Sequence, residues 1–302
     1  MEVALKIDVD THQGLARGVP RLRHLLEGES ITASFYVSMG PDNSGRAITR
    51  AFRNPGFLAK MRRTKAVGMY GLRTVLSGTL LPSRPIALAF PGLLRELRSA
   101  GFEVEVHGYD HVRWQDHIDE LGAANIHGEL ADAFEAYRAI FGERPRAFAA
   151  PGWRTSSDAL LALETMGLAY HSDTRGSSPF RAKVGGQPLS TPEIPTTLPT
   201  LDEVIGRADL STTAALTQFY LEQFKRDTLN VHTIHAETEG MAQLESFTAL
   251  IRGLKERGAR FVPLREVAAR LSAAELPVCE VVRATLPGRA GWISAQGSPA
   301  PN

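Results

Sequence analysis

Residues 3–10 have the sequence VALKIDVD, an apolar run that ends in two aspartates, Asp8 and Asp10. A short run of this composition predicts a buried β-strand. Side chains two positions apart on a strand point to the same face, so the two carboxylates are expected to lie side by side. An aspartate-rich strand end that caps the next helix is the alternative. Two carboxylates on one inward face, however, need a metal ion or another cation to offset their burial.

Histidines follow two other predicted strands. HGYDH comes after the run FEVEV and spaces His107 and His111 four residues apart, so both imidazoles can reach one ion. The alternative is a pair of exposed loop histidines; the motif is not the HExxH of metalloproteases, because Gly108 follows the first histidine. In VHTIHAE, strand parity separates the two histidines. We predict that His235 faces the interior and that His232 points outward, packed under a helix.

These residue types indicate metal-assisted hydrolysis. One carboxylate and two imidazoles are a usual ligand set for a catalytic divalent metal, with one position left open for water. The second carboxylate and the third imidazole would then be available as base and acid. The ligand types do not distinguish zinc from manganese or cobalt.

Strand and helix patterns alternate along the chain. Strands are predicted at residues 3–8, 31–38, 102–107, 147–150, 169–172, 229–235 and 260–263. Helices are predicted at residues 20–27, 93–100, 126–141, 157–166, 213–226 and 241–257. This alternation implies βαβ units and a mainly parallel sheet. About seven repeats favour a closed or nearly closed barrel, in which catalytic groups gather at the carboxyl ends of the strands.

Composition limits the possible partners. The chain has 302 residues, 43% of them hydrophobic, and a formal net charge of +1, which predicts no nucleic-acid binding. Its single cysteine, Cys279, excludes an intramolecular disulfide. We expect no secretory signal and no transmembrane segment. The expected location is therefore the cytosol or the cytosolic side of a membrane.

Two segments interrupt the alternation, and a third ends the chain. Residues 43–95 contain ten Lys or Arg and no Asp or Glu, interleaved with apolar side chains, which predicts a basic insertion that contacts an anionic membrane. A solvated basic loop is the alternative. The expected membrane contacts are Arg46, Arg50, Arg53, Lys60, Arg62, Arg63 and Lys65. Residues 176–207 predict a long excursion with a short strand near 193–195, and residues 294–302 a disordered tail after a single domain spanning 1–293.

The order of these motifs resembles the polysaccharide deacetylase (NodB-homology) family. The matching elements are the Asp-x-Asp pair, the His-x-x-x-His pair, Arg154 after a Pro-Gly turn, Asp173 and the late His235. The resemblance implies a metal-dependent de-N-acylase on a distorted (β/α)7 barrel. It departs from the family in one respect, since Val9 separates two carboxylates that are usually adjacent.

Residues 197–207 (TLPTLDEVIGR) and 233–240 (TIHAETEG) resemble one branch of the family most closely. That branch implies removal of the formyl group from 4-deoxy-4-formamido-L-arabinose on undecaprenyl phosphate, a step in the aminoarabinose modification of lipid A that gives polymyxin resistance. The implied location is the cytoplasmic side of the bacterial inner membrane, peripherally bound. A general carbohydrate de-N-acetylase and an inactive lipid- or sugar-binding barrel are the alternatives.

The resemblance also implies a role for each site residue. The implied ligands of one divalent metal are Asp10, His107 and His111. The implied catalytic residues are Asp8 as base, His235 as acid, Arg154, which would brace Asp8, and Asp173, which would tune His235. The expected substrate contacts are Trp153, Arg175, Glu193, Asp202 and Glu203.

Overall fold

A computed structural model describes residues 1–46 and 76–299 of the chain. Its strands are β1 (Glu2–Val9), β2 (Ser34–Val37), β3 (Glu103–Val106), β4 (Ala147–Phe148), β5 (Tyr170–His171), β6 (Phe180–Val184), β7 (Gln187–Glu193), β8 (Leu229–His235), β9 (Arg260–Val262), β10 (Val278–Ala284) and β11 (Ile293–Pro299). Its α-helices are α1 (Val19–Gly28), α2 (Pro91–Ser99), α3 (His111–His117), α4 (Ala123–Phe141), α5 (Ser157–Glu164), α6 (Leu201–Val204), α7 (Thr213–Gln223), α8 (Leu244–Glu256) and α9 (Leu264–Ala268).

Seven parallel strands form the centre of the fold, in the order β8-β1-β2-β3-β4-β5-β7. The chain just after β7 reaches back to β8: the Thr197 N–H donates to the Val231 carbonyl over 3.1 Å, and the hydroxyls of Thr196 and Thr233 lie 2.7 Å apart. These contacts bridge the two ends of the row. The α/β architecture predicted from the sequence is confirmed, but the predicted strand at residues 260–263 is β9, which pairs beside β1, and β7 takes the seventh place in the row.

The two faces of each central strand pack against different groups of residues. On β1, Leu5 and Ile7 lie in the large apolar core shared with the helices, whereas Ala4 packs with interior residues such as Tyr36 and Tyr170. This is the period-two alternation of a strand covered on both faces. Each large apolar side chain buried in this way contributes about 1.5–3 kcal/mol relative to an exposed one.

A column of polar side chains runs through the interior below the strand ends. The hydroxyls of Tyr36 and Tyr170 lie 2.6 Å apart, and Tyr170 donates to Glu103 over 2.8 Å. Above them, the buried Lys6 ammonium lies 5.3 Å from the centre of the Tyr36 ring. Since these buried groups are paired, the interior can hold polar residues directly beneath the site.

Two predictions about the second half of the chain are wrong. The segment expected to be a loop excursion contains the antiparallel pair β6–β7 and the short helix α6. The expected disordered tail is largely β11, which pairs antiparallel with β10, and β10 in turn pairs with β6. The pairing partners of these strands lie far away in sequence and satisfy backbone groups that a polar, Gly- and Pro-containing segment could not satisfy by itself.

Most of the predicted insertion lies outside the described residues, which resume at Leu76. Of the seven basic residues expected to contact a membrane, Arg46 is described, and its guanidinium donates to the Gly78 carbonyl over 3.3 Å. The end of the predicted insertion, from Pro91, belongs to α2. The structure therefore describes where the insertion leaves and rejoins the fold.

Candidate active site and metal centre

Five side chains from separate parts of the sequence meet at the carboxyl ends of the central strands. They line one cavity of about 120 Å³. The five are Asp8 and Asp10 at the end of β1, His107 just after β3, His111 at the start of α3, and His235 at the end of β8. The remaining lining residues are Gln115, Gly152, Trp153, Asp202 and Arg289. This is the edge at which catalytic groups gather in parallel α/β folds.

Asp10, His107 and His111 have the arrangement of a metal-binding triad. One donor atom from each lies within 4.8 Å of the others. The distances from Asp10 carboxylate oxygens to Nε2 are 3.4 Å for His107 and 3.5 Å for His111. Asp10 Oδ1 is buried and accepts no hydrogen bond from the described residues. Burial raises the pKa of Asp10, an effect that a bound cation would reverse. The donor set therefore fits a divalent metal of the zinc, manganese or cobalt type.

Neighbouring groups orient both histidines toward Asp10. His107 Nδ1 lies 2.8 Å from the Ala149 carbonyl, which leaves Nε2 to face the cavity. Burial lowers the pKa of His107 to about 4, so its ring is neutral and able to bind a metal. His111 is the first residue of α3, whose N-cap is Asp110; the Asp110 carboxylate accepts from the Arg113 N–H over 3.1 Å.

Asp8 is paired with Lys6, two residues before it on the same face of β1. Lys6 Nζ lies 2.9 Å from Asp8 Oδ2, and both side chains are buried. Burial opposes ionisation of Asp8, but the Lys6 ammonium, with smaller effects of the nearby imidazoles, outweighs it and lowers the pKa of the carboxyl group. Asp8 Oδ1 is buried and accepts no hydrogen bond from the described residues. Asp8 is thus an ionised carboxylate. Lys6 holds its Oδ2, and its Oδ1 is available to accept a proton.

Arg154, which was expected to brace Asp8, contacts other groups in the structure. Arg154 donates to the backbone carbonyls of Gln115 over 2.6 Å and Trp292 over 3.1 Å, and its guanidinium stacks on the Trp292 ring at 4.9 Å. The cation beside Asp8 is Lys6. The reason is that β11 brings Trp292 against Arg154, and no local sequence feature indicates that contact.

His235 ends β8, which pairs with β1, and it lies level with Asp8 in the register of the two strands, near several carboxylates. Burial lowers the pKa of His235, but Asp10, Asp202, Asp8 and Glu239 outweigh burial and raise it overall. The rings of His235 and Trp153 are nearly perpendicular, with a centroid distance of 6.2 Å. His235 can therefore carry a proton in a site that also holds an ionised carboxylate.

Asp173, which was expected to adjust the pKa of His235, makes its contacts with other residues. Its Oδ1 accepts from the Ala150 N–H over 2.8 Å, and its Oδ2 lies 3.1 Å from His171 Nδ1. Glu193 Oε2 lies 2.5 Å from the same nitrogen, and all three side chains are buried. Although burial lowers the pKa of His171, Asp173 and Glu193 raise it to about 10. The three residues form a charged cluster behind the site, and Asp202 takes the place beside His235 that Asp173 was expected to take.

Comparisons with known proteins agree with this geometry. The family model for polysaccharide deacetylase matches residues 3–171. A protein named "Probable 4-deoxy-4-formamido-L-arabinose-phosphoundecaprenol deformylase ArnD" from Shewanella sediminis is 36% identical over 297 residues, covering 98% of this chain and 95% of that protein. This chain belongs to the polysaccharide deacetylase family.

Two further matches extend over most of this chain. The protein of the same printed name from Wigglesworthia glossinidia brevipalpis is 33% identical and covers 94% of this chain and 98% of its own length. A crystal structure assigned to the polysaccharide deacetylases, from Mycobacterium smegmatis, superposes with a TM-score of 0.65 at 17% identity, covering 94% of both chains. The structural match shows the shared fold.

Strand parity places the two histidines of β8 as predicted. His232 is buried on the outer face and contacts the rings of Tyr220 and Phe224, which belong to α7 and the residue after it. Burial lowers the pKa of His232 to about 3, so it is a neutral packing residue. His235, three residues later, lines the cavity.

Two glutamates in TIHAETEG are functional residues that the sequence reasoning missed. Glu237 accepts from the Asp10 and Thr11 N–H groups over 3.0 and 2.8 Å, which fixes the loop that carries the metal-binding carboxylate. Glu239 accepts from the His235 N–H over 3.0 Å. Burial raises the pKa of Glu237 to about 8 and that of Glu239 to about 7. The sequence motif could have indicated them, because both glutamates directly follow the predicted strand that ends at His235.

Close backbone packing supports these glutamates. A Cβ at Gly240 would lie 2.7 Å from the Cα of Gly18, closer than any side chain allows. The short helical segments Gly14–Gly18 and Thr238–Ala242 therefore contact each other through glycine. This contact ties the loop after β1 to the loop after β8, the two loops that carry Asp10 and Glu237.

The five expected substrate contacts divide into two groups. Trp153 and Asp202 line the cavity. Arg175 pairs with Glu203 over 2.6 Å behind it, and Glu193 belongs to the charged cluster around His171. These three residues do not line the cavity, and their contact with a substrate stays a prediction. Arg289, which the sequence reasoning missed, lines the cavity instead.

A larger cavity of about 490 Å³ lies at the opposite, amino-terminal end of the central strands, lined by residues such as Glu103, Glu105 and Arg265. Burial raises the pKa of Glu105 to about 8. Size alone would favour this cavity as the binding site. The metal-binding triad and both proton-transfer candidates lie in the smaller one, so the chemistry assigns the site there.

Proposed function

We propose that this protein hydrolyses the formamide of 4-deoxy-4-formamido-L-arabinose carried on undecaprenyl phosphate, giving formate and the 4-amino sugar. The observation that carries the proposal is one cavity holding a metal-binding triad, an ionised carboxylate and a raised-pKa histidine. This substrate is the one named for the relatives that align over nearly the whole chain. The product is the lipid-linked amino sugar required for aminoarabinose modification of lipid A.

The chain's own residues supply the proton transfers. A divalent ion held by Asp10, His107 and His111 would supply Lewis acidity toward the amide carbonyl and the attacking water. Asp8 is ionised and has a free oxygen, so it removes the proton from the water. His235 donates a proton to the departing amine nitrogen, because an amine leaves only when protonated. Lys6 holds Asp8 in place throughout.

Two alternatives remain to be compared by experiment. A general carbohydrate de-N-acetylase would use the same five residues on an acetamido sugar. An inactive lipid- or sugar-binding barrel would not need both proton-transfer groups beside the triad, and this site has both. The deciding experiment offers the metal-loaded protein the formamido lipid and its acetamido analogue and measures released formate and acetate. Formate release alone supports the proposal, acetate release supports the first alternative, and release of neither supports the second.

Lys6→Met should lower kcat about 10- to 100-fold, because hydrogen bonds to a charged group are worth about 1.5–3 kcal/mol. Without its cation Asp8 loses its orientation and its ionisation becomes less favourable. Lys6→Arg keeps the charge and should recover much of kcat. Equal kcat in Lys6→Met and the wild type, measured on folded, metal-loaded protein, would show that Lys6 has no role in catalysis.

We further propose that the enzyme is bound peripherally to the cytoplasmic face of the bacterial inner membrane through the basic insertion. The described end of that segment supports this location: Leu80 is 80% exposed and Leu88 is 48% exposed. The Pro85 carbonyl between them lies 2.8 Å from Nδ1 of His12, which follows the carboxyl end of β1. Exposed apolar side chains therefore lie on the same edge as the site. Within the described ranges, no helix combines the length and apolar character needed to span a bilayer.

Neutralising the insertion should weaken membrane binding and leave the chemistry unchanged. Each basic residue near an anionic surface contributes about 1 kcal/mol, so replacing four with glutamine should reduce liposome binding by at least about 100-fold. The residues to replace are Lys60, Arg62, Arg63 and Lys65. The matched control replaces exposed basic residues elsewhere: Arg138, Arg144, Lys225 and Arg226. Equal sedimentation of both variants with anionic liposomes would assign the segment to the solvated-loop alternative.

A further inference from the structure

Arg289 places a guanidinium at the wall of the active-site cavity. Among the described residues that line this cavity, it is the one lysine or arginine. Its side chain is 8% exposed, its Cζ lies 4.6 Å from the centre of the Trp153 ring, and a terminal nitrogen donates to the Gly152 carbonyl over 3.0 Å. These contacts fix the position of the guanidinium, unlike that of a solvent-exposed arginine.

The loop that carries Arg289 packs directly against α6. The Arg289 N–H donates to the Leu286 carbonyl over 3.1 Å, which closes a tight turn between β10 and β11. Gly288 has a φ of 80°, and a Cβ at this position would lie 1.9 Å from the Glu203 carbonyl oxygen. Only glycine allows this contact, so the turn is built to hold the following arginine against the cavity.

The charges at this wall favour an anion. Glu203 Oε1 lies 2.6 Å from Arg175 but 4.0 Å from Arg289, so its carboxylate is engaged mainly by Arg175. Arg175 also donates to the Leu198 carbonyl over 2.8 Å. Two guanidinium groups thus share one close carboxylate. The other carboxylate of α6, that of Asp202, accepts from the Thr200 hydroxyl over 2.5 Å and lies near His235.

We propose that Arg289 binds the phosphate diester of the substrate, and this inference rests on the proposed function. In the substrate the formamide and the phosphate sit on opposite sides of one pyranose ring. In the site, the Trp153 ring contacts both groups: its centre lies 6.2 Å from the centre of the His235 ring and 4.6 Å from the Arg289 guanidinium carbon. A formamide at the metal-binding triad would therefore direct the phosphate toward Arg289. The planar, permanently charged guanidinium matches two phosphate oxygens at once.

This assignment gives the site a way to select its substrate. A neutral sugar polymer offers Arg289 no anion, whereas a sugar phosphodiester pairs with it. Arg289 would then act as a specificity-determining residue that contributes to binding, and the proton transfers at Asp8 and His235 would not depend on it. The competing explanation is that Arg289 only braces Trp153 through the stacking contact.

The test compares two substrates and three variants. One substrate is the 4-formamido sugar on a short polyprenyl phosphate; the other is its methyl glycoside, which lacks the phosphate. Arg289→Gln should raise KM for the phosphodiester by roughly 10- to 100-fold with little change in kcat, because a charge-assisted pair is lost. Arg289→Lys should recover part of this loss. The matched control is Arg283→Gln, on the same hairpin: Arg283 stacks on Trp292 at 4.3 Å and is 63% exposed.

Each outcome decides between the explanations. A higher KM for the phosphodiester alone, partly restored by lysine and absent in the Arg283 variant, supports the proposal. An unchanged KM for the phosphodiester in Arg289→Gln overturns it. Equal losses on both substrates also overturn it and assign Arg289 to bracing Trp153. A wild-type enzyme that hydrolyses neither substrate would instead refute the proposed function, so the two failures are distinguishable.

Discussion

His107→Ala and His111→Ala should each strip the divalent metal and lower turnover by about three orders of magnitude or more, since Lewis-acid stabilisation is worth several kcal/mol and each 1.36 kcal/mol is tenfold. Each histidine presents Nε2 within 3.5 Å of an Asp10 oxygen. Two ligands without the third do not hold a catalytic metal firmly. Elemental analysis after desalting should give one metal per chain in the wild type and a small fraction of that in either variant.

Thermal unfolding supplies the control for this prediction. Metal binds the folded site and not the unfolded chain, so added metal should raise Tm in the wild type. In His107→Ala the added metal should leave Tm unchanged. A matched variant is His232→Ala, which removes a buried histidine that packs on α7 and does not line the cavity. It should retain the metal. Full metal occupancy in both ligand variants would contradict the assignment of the triad.

Asp8→Asn and His235→Ala should retain the metal yet lose about 10²- to 10⁴-fold in turnover, the range expected for proton-transfer groups. Asp8 is ionised beside Lys6, and His235 has a raised pKa beside Asp202. The base must be deprotonated and the acid protonated, so the pH profile of kcat/KM should be bell-shaped. The acid limb should lie below the ordinary carboxyl pKa and the alkaline limb above the ordinary imidazole pKa.

Asp202→Asn tests the origin of the alkaline limb. The Asp202 charge raises the pKa of His235, so its removal should move the alkaline limb to lower pH and leave the acid limb in place. His232→Ala should lose stability through its buried packing and keep its turnover per folded molecule. If His232→Ala reduces turnover as much as His235→Ala while remaining folded and metal-loaded, the parity assignment of β8 is wrong.

Local patterns in the sequence were sufficient to predict six of the seven central strands, all except β7, and the five cavity residues. Strand periodicity placed Asp8 and Asp10 on one face and separated His235 from His232, because side-chain direction on a strand depends only on parity. Each of these residues lies at or just after a strand end, and in a parallel sheet those ends converge. A signal for Lys6 was also present, since it lies two residues before Asp8 on the same face.

The assignments that failed depend on contacts distant in sequence. Arg154 turns toward Trp292, 138 residues later, and Asp173 accepts from the N–H of Ala150, two residues after the end of β4. Nothing local to either residue determines which of several charged neighbours it meets. The strands β10 and β11 were missed for the same reason, because β10 pairs with β6 about a third of the chain away. Arg289 reaches the cavity only through that pairing.

The measurement that tests the central claim most directly is the mass of the lipid product. The metal-loaded enzyme is incubated with 4-deoxy-4-formamido-L-arabinose on undecaprenyl phosphate, and the lipid is analysed by mass spectrometry. For the wild type we expect a net loss of CO from the lipid, with equimolar formate in solution. Prior removal of metal with a chelator and the His107→Ala variant should both leave the lipid unchanged. An unchanged lipid with fully metal-loaded wild-type enzyme, or the same loss of CO in His107→Ala, would contradict the account.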